Sequence, residues 1–301
     1  MELVDRSLGH STVLFGDKNG KYPHGNSLLV HGADETVVID PSLAVIPRRA
    51  SLPRVDRVLN SHCHEDHVAG NHLFPAASWH VHELDVPGLR SFEGFMAIYG
   101  FDGPVAESWG RTLLEQFHYV PRPDAQGFAD GAVFELGGGV RVRAIHTPGH
   151  TRGHTAFLVE PDGVLYLGDI DLSSFGPYYG DAWSDLEDFE RTLAMVRGIE
   201  ARWYATFHHI GVLDGRAAFV ERLDRFAAVI GRRERALLAY LAEPHTLAEV
   251  AAHRFVYRPE DKISWADPVE RRSMGQHIAR LLRDGAVREP EPGLYQAVPG
   301  G

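Results

Sequence analysis

Residues 59–71 read LNSHCHEDHVAGN and pack three histidines and two carboxylates into the six positions 62–67. Imidazoles this close repel one another when protonated, and a cation that holds them neutral resolves the repulsion. His62 and His64 are two apart, so on extended backbone they face the same way. Asp66 and His67 follow as the chain turns towards a helix, and they aim at a second point nearby. One turn can thus feed two metal positions. Cys63 has the opposite parity and is expected to face packing.

Short β-type runs surround this stretch. NSLLVHG (26–32) and ETVVID (35–40) flank a turn and predict a hairpin. The run VDRVLNSH leads directly into the histidine cluster, and SWHVH (78–82) predicts another strand. AVFELGGGVRVRAIH predicts two strands about a triple glycine, and TAFLVE and GVLYLGD are joined by PDG. SDLEDFERTLAMVRGI carries Ser184 and Glu187 at capping-box spacing before a helical pattern. RWYATFHH closes the series as a strand. Many strands with sparse helices between and after them predict two packed sheets with helices outside. Residues 83–128 interrupt the pattern with a helical insert rich in aromatics, which serve burial, a lid or an oligomer contact.

After residue 230 the character changes. RRERALLAYLAE is helical, and TLAEVAAHR opens with a capping box, Thr246 and Glu249. PVERRSMGQHIARLLRDGAV starts with the proline that a first helical turn tolerates and ends at Gly285, a C-terminal glycine cap. AVREPEPGLYQAV predicts a small hairpin. Three helices and a hairpin form a winged-helix-like pattern.

The chain has 301 residues, enough for one large and one small domain. Its single cysteine excludes an internal disulfide framework and fits a reducing compartment. The first residues lack a secretory signal, and no run approaches the ~20 apolar residues of a membrane span. A soluble, cytoplasmic protein that does not enter a membrane is expected. The net charge of −11 repels polyanions. From Gly231 onward 11 Lys and Arg face 10 Asp and Glu, whereas the preceding part holds 19 against 31. Nucleic acid is therefore a disfavoured partner. An arginine stripe of Arg271, Arg272, Arg280 and Arg283 is the one feature that would bind it. A small-molecule substrate is expected, and a homodimer contact is a natural use of a winged helix.

HCHEDH resembles the H-x-H-x-D-H signature of the metallo-β-lactamase superfamily, with Gly70 in its usual place. Asp40 in VVIDP resembles the structural aspartate of that family, HTPGHT (146–151) its T-P-G-H-T, and LYLGDI the strand that ends in a bridging aspartate. ATFHHIG occupies the place of the last histidine ligand. The resemblance covers about residues 10–230. It implies the four-layer αββα sandwich as residues 1–230, followed by a winged-helix-like domain as residues 231–301, similar to the tail of the lactamase-like endoribonucleases. It also implies two divalent metal ions, with zinc the default and iron or manganese admissible. His62, His64 and His150 would hold the first. Asp66, His67 and His208 (or His209) would hold the second, with Asp169 bridging. The family pattern of P-G-H-G or G-H-E-Y is replaced here by F-H-H-I-G, which leaves His208 and His209 both open.

The implied activity is metal-dependent hydrolysis, a metal-bridged hydroxide attacking an ester, thioester, lactone or related bond. Asp66 and Asp169 would orient the nucleophile, and Tyr178 or Tyr179, on a Gly/Pro-rich loop, would assist at the oxyanion. Two other readings are a persulfide-dioxygenase-like enzyme with one iron on His62, His150 and Asp169, and a metal-dependent ribonuclease guided by the tail. His154 either orients a ligand or is a satisfied polar group. Asp171 either supports the site or is solvated. His24, His31, His72, His80, His82 and His118 belong to no motif.

Overall fold

The computed structural model describes residues 4–299, so the outermost ends of the two expected domains, 1–3 and 300–301, lie outside the described residues. Among the described residues, strands β1 (Arg6–Leu8), β2 (Ser11–Leu14), β3 (Ser27–His31), β4 (Thr36–Ile39), β5 (Arg57–Leu59), β6 (Ser78–His82) and β7 (Gln126–Phe128) form a seven-stranded sheet in that order. It is antiparallel from β1 to β4 and parallel from β4 to β7. A second sheet runs β13-β12-β11-β10-β9-β8. Its strands are β8 (Val133–Glu135), β9 (Arg141–His146), β10 (Thr155–Glu160), β11 (Val164–Tyr166), β12 (Trp203–Ala205) and β13 (Val212–Asp214).

The apolar runs are continuous because both faces of each sheet are covered. Leu28, Val30, Val37 and Ile39 face Phe157, Val159, Val164 and Tyr166 of the other sheet in one core. The alternate residues Leu29, Val38, Val58 and Val81 point outward. They pack towards the insert helices α1 (Val86–Arg90), α2 (Phe92–Tyr99) and α3 (Gly103–Glu115). Ala156, Leu165 and Tyr204 on the far face pack under α4 (Leu186–Val196) and the first part of α5 (Arg216–Tyr240). This is the αββα order of layers.

The junction expected at residue 230 falls inside α5, a single helix of 25 residues. Its Phe219, Leu223, Phe226 and Ile230 enter the sandwich core, and its Leu237 enters a separate core with Val250, Met274, Ile278, Leu281 and Val287. That second core is built by α6 (Leu247–His253), α7 (Ala266–Arg283) and a small sheet in which β14 (His245–Thr246) and β15 (Val287–Glu291) flank β16 (Leu294–Ala297). The capping box of Thr246 and Glu249 is present, and Gly285 takes φ +75° after α7. The box expected at Ser184 is not formed. Asp185 caps α4 instead, accepting from the Asp188 amide at 2.8 Å. The Ser184 hydroxyl is committed elsewhere, donating to the His150 carbonyl at 2.7 Å.

Three of the four arginines of the expected stripe are engaged within the chain, and Arg271 is exposed. Arg280 pairs with Glu234 of α5 and Glu190 of α4, Arg283 pairs with Glu187, and Arg272 donates to the Tyr99 and Gly100 carbonyls. No described helix is long and apolar enough to cross a membrane.

Candidate metal centre

β5 ends at Leu59, and the chain then enters a loop that opens a single helical turn, Glu65–Val68. His62 and His64 precede the turn, and Asp66 and His67 sit in it. Gly70 lets the loop close tightly, because a Cβ there would lie 2.4 Å from Val45 Cγ2 and 2.8 Å from the Pro41 carbonyl oxygen. The loop is pinned from below by Asp40, a buried residue at φ +47° at the end of β4. Asp40 Oδ1 accepts from the Ser61 amide at 2.6 Å. Its Oδ2 accepts from Ser61 Oγ at 2.6 Å, His67 Nδ1 at 2.8 Å and the Tyr166 hydroxyl at 3.1 Å.

Two clusters of ligand-type atoms result: His62, His64, His150 and Asp169, and Asp66, His67 and His208, the atoms within each lying within 4.8 Å of one another. Asp169 lies between the clusters. Its Oδ1 is 2.9 Å from His67 Nε2 and its Oδ2 is 3.1 Å from His150 Nε2. His208 Nε2 lies 3.0 Å from Asp66 Oδ2. Of the two histidines that the sequence leaves open, His208 is the one placed beside Asp66 and His67. His209 takes the left-handed conformation, φ +59°, and lines the adjoining cavity without joining either cluster.

The outer nitrogens show that the clusters fit a cation. His150 Nδ1–H donates to the Tyr178 carbonyl at 2.9 Å, and His208 Nδ1–H to the Gly20 carbonyl at 2.7 Å. His67 Nδ1–H donates to Asp40, and His62 Nδ1–H to Ser61 Oγ at 3.0 Å, whose own proton goes to Asp40. In each neutral ring the outer nitrogen holds the proton, so Nε2 presents a lone pair inward. His150 Nε2 then faces His62 Nε2 at 3.2 Å and His64 Nδ1 at 2.9 Å, and His208 and His67 face carboxylates. His67 Nε2, Asp66 Oδ2 and Asp169 Oδ1 have no hydrogen-bond partner among the described residues. Converging lone pairs and carboxylate oxygens repel until positive charge lies between them.

The carboxylates draw positive charge to the same points. Burial depresses the basicity of His67, but Asp169, Asp40 and Asp66 outweigh it and raise its pKa well above the ordinary value. His208 is likewise raised to about 9, burial opposing and Asp169 and Asp66 prevailing. His62 shifts the other way, lowered by burial and then by the charges of His67, His64 and His150. Burial alone would raise Asp169, yet His67, His150 and His208 hold it well below the ordinary carboxylate range.

The sequence model of the metallo-beta-lactamase superfamily matches residues 22–225. The chain belongs to that superfamily. Among its metallo-β-lactamase relatives, the hydroxyacylglutathione hydrolase of Methylococcus capsulatus is 30% identical over 241 residues, covering 76% of this chain and 80% of that protein. The atrochrysone carboxyl ACP thioesterase of Aspergillus fumigatus is 29% identical over 189 residues, which span 62% of this chain but only 48% of that protein. A metallo-beta-lactamase family protein from Thermus thermophilus superposes with a TM-score of 0.70 at 26% identity, over 96% of this chain and 99% of that one.

The remaining expectations resolve by contact. Tyr178 lines the cavity beside the clusters, its hydroxyl donating to Asp181 Oδ1 at 3.0 Å. Tyr179 does not reach this metallo-β-lactamase site. It is buried with its hydroxyl donating to His277 Nε2 at 3.0 Å, because neighbouring side chains of this segment face opposite ways. His154 positions Asp169: its Nδ1–H donates to the Thr147 carbonyl at 3.0 Å, and Nε2 accepts from the Asp169 amide at 3.1 Å. Gly168 makes this approach feasible, since a Cβ would lie 2.6 Å from His154 Nε2. Asp171 lines the cavity, and burial pushes its pKa up to about 6. Cys63 is fully buried in the insert-side core, as its parity predicts. Of the six background histidines, none joins a cluster.

Sequence reasoning missed Asp181, whose Oδ2 lies 3.1 Å from His64 Nε2. It also missed Glu65, which accepts from the Tyr99 hydroxyl at 2.6 Å and the Tyr22 hydroxyl at 3.0 Å. Burial and then the charge of Asp66 push Glu65 up to about 7. The position between two motif residues was its only sequence signal.

Replacing Asp40 with alanine removes one acceptor from four donors, three of them around the loop. The expected loss is on the order of 3–5 kcal/mol of stability, as for other broken buried charge networks. The denaturation midpoint of metal-free protein measures it, and an unchanged midpoint would refute the pinning role.

Proposed function

We propose that this protein hydrolyses thioesters at a centre of two divalent metal ions. His62, His64 and His150 would hold one ion and Asp66, His67 and His208 the other, with Asp169 placed between the two sets. The observation that carries this reading is the set of imidazoles whose outer N–H groups are engaged, so that lone pairs converge on two adjacent points. The donors are nitrogen and oxygen with no thiolate, a set that suits zinc first and also admits iron or manganese. When bound, such ions act as Lewis acids and lower the pKa of water to ~7.

The chain's own groups do the rest. Asp66 and Asp169 both line the cavity and accept hydrogen bonds that orient the attacking water. His154 fixes the Asp169 backbone from behind. Burial and then the Asp181 charge keep the Tyr178 phenol protonated, and it would assist at an oxyanion only by exchanging its hydrogen bond to Asp181 for one to the substrate. The thioester class is supported by the hydroxyacylglutathione hydrolase and the ACP thioesterase among the relatives. The fully formed second cluster supports two ions over a single iron.

The test is a panel of a hydroxyacylglutathione, an N-acetylcysteamine thioester, an oxygen ester, a lactone and a phosphodiester, with metal content measured in parallel. Thioester turnover that is lost on chelation and restored by zinc, at two equivalents per chain, is the expected result. One iron per chain with oxygen uptake on a persulfide, and no hydrolysis, would replace this reading with the dioxygenase one.

We also propose that the winged-helix-like tail acts on the site and not on nucleic acid. Arg272, Arg280 and Arg283 are occupied by partners within the chain, and phosphate affinity needs free cations. Titration with duplex DNA and single-stranded RNA at physiological salt should show no binding at micromolar protein. Micromolar binding that is lost in Arg271→Glu, the stripe member on the exposed side of α7, would refute it.

A further inference from the structure

The cavity beside the metal centre, about 290 Å³, has walls that the sandwich does not supply. Tyr99, Phe101 and Trp109 come from the insert, and Tyr257, Ile263 and Trp265 from the segment between α6 and α7 of the tail. The two groups form one surface. Trp109 and Trp265 lie 4.7 Å apart between ring centroids, Tyr99 and Trp109 5.3 Å, and Tyr99 and Phe101 5.6 Å. Arg272 ties the tail to the insert through the Tyr99 and Gly100 carbonyls.

The chemistry of this wall is selective. Among the described residues no Lys or Arg lines the cavity, whereas five carboxylates do: Glu65, Asp66, Asp169, Asp171 and Asp181. An anionic acyl group would find no lysine or arginine to pair with. The volume is near twice the ~150 Å³ that holds benzene in an apolar cavity, so a fused ring or an equivalent chain is accommodated. Trp109 is 4% exposed, and its Nε1–H has no hydrogen-bond partner among the described residues. That nitrogen has essentially no accessible surface, so Trp109 offers the cavity its ring and not its N–H.

We propose that the cavity takes the acyl part of the substrate, and that this acyl group is flat and apolar and carries no negative charge. Insert and tail together set this specificity, which rests on the thioester reading for the reaction but not for the binding.

The test keeps the thiol constant. Non-hydrolysable ketone thioethers of N-acetylcysteamine carry 2-naphthyl, 6-methoxy-2-naphthyl or carboxyethyl groups, and binding is measured by titration calorimetry. The matching thioesters are assayed for kcat/KM. Both naphthyl compounds should bind at least ~10-fold more tightly than the carboxyethyl one. Trp265→Ala, partly exposed and so less disruptive, should weaken both naphthyl compounds and raise KM more than it lowers kcat. Equal or tighter binding of the carboxyethyl compound, or turnover of all thioesters without acyl preference, overturns the proposal and leaves thioester hydrolysis standing. Naphthyl binding with no thioester turnover supports the cavity assignment and defeats the hydrolase reading.

Discussion

His150→Ala is expected to empty the first metal position and to lower kcat/KM by more than ~100-fold. The bound is set by comparison. Changing a residue that merely supports a ligand costs about 10–100-fold in metal affinity or activity, and His150 stands closer to the centre than that. Its Nε2 meets His62 Nε2, His64 Nδ1 and Asp169 Oδ2 within 3.2 Å. Its ring is buried and aimed by the Tyr178 carbonyl, and its own carbonyl is held by Ser184. Removing the imidazole therefore leaves the backbone in place and deletes one donor. Metal analysis should fall from two equivalents towards one, with the circular dichroism of the variant unchanged. Full metal content with full turnover would show that the ring is not a ligand.

The parts of this site that follow strict periodicity are legible in the amino-acid sequence alone. The two-residue spacing of His62 and His64 places both rings in one cluster and sends Cys63 into the core, because neighbouring side chains on extended backbone diverge. Asp40, Asp169 and His150 are legible through motif order. So is the layered fold, since apolar runs without alternation require cover on both faces, and Leu29 and Val38 find it under the insert. Irregular segments are not legible in the same way. At 208–209 two histidines are adjacent, and only the left-handed turn at His209 decides which one faces Asp66. At 178–179 two tyrosines are adjacent, and the packing of α7 against the loop draws Tyr179 away to His277. Ser184 loses its cap to Asp185 because a carbonyl of the site claims its hydroxyl. Trp265 and Tyr257 reach the cavity from a part of the chain far from Tyr178, a separation that no local pattern encodes. The helix α5, passing from one core into the next, fixes that approach.

Asp66→Asn separates a two-metal hydrolase from a single-metal enzyme on the same fold. The substitution is isosteric and leaves the helical turn intact, so folding should be preserved. It removes one negative charge from a cluster in which Asp66 Oδ2 lies 3.0 Å from His208 Nε2 without a hydrogen-bond partner among the described residues. An amide is a far weaker ligand than a carboxylate, and its NH₂ group would present protons to the same point that His67 and His208 face with lone pairs. The second ion should be lost first, giving one equivalent per chain. The first cluster shares no donor with Asp66 and should keep its ion. Thioester hydrolysis should fall by more than ~100-fold, since both an ion and an acceptor for the attacking water are gone. Stability of the metal-free protein should change little, whereas the stabilisation that added zinc confers on the unaltered protein should shrink. An enzyme that works with one ion on His62, His150 and Asp169 would keep its activity and its metal in this variant. Retention of both would reassign the chemistry to the first cluster alone.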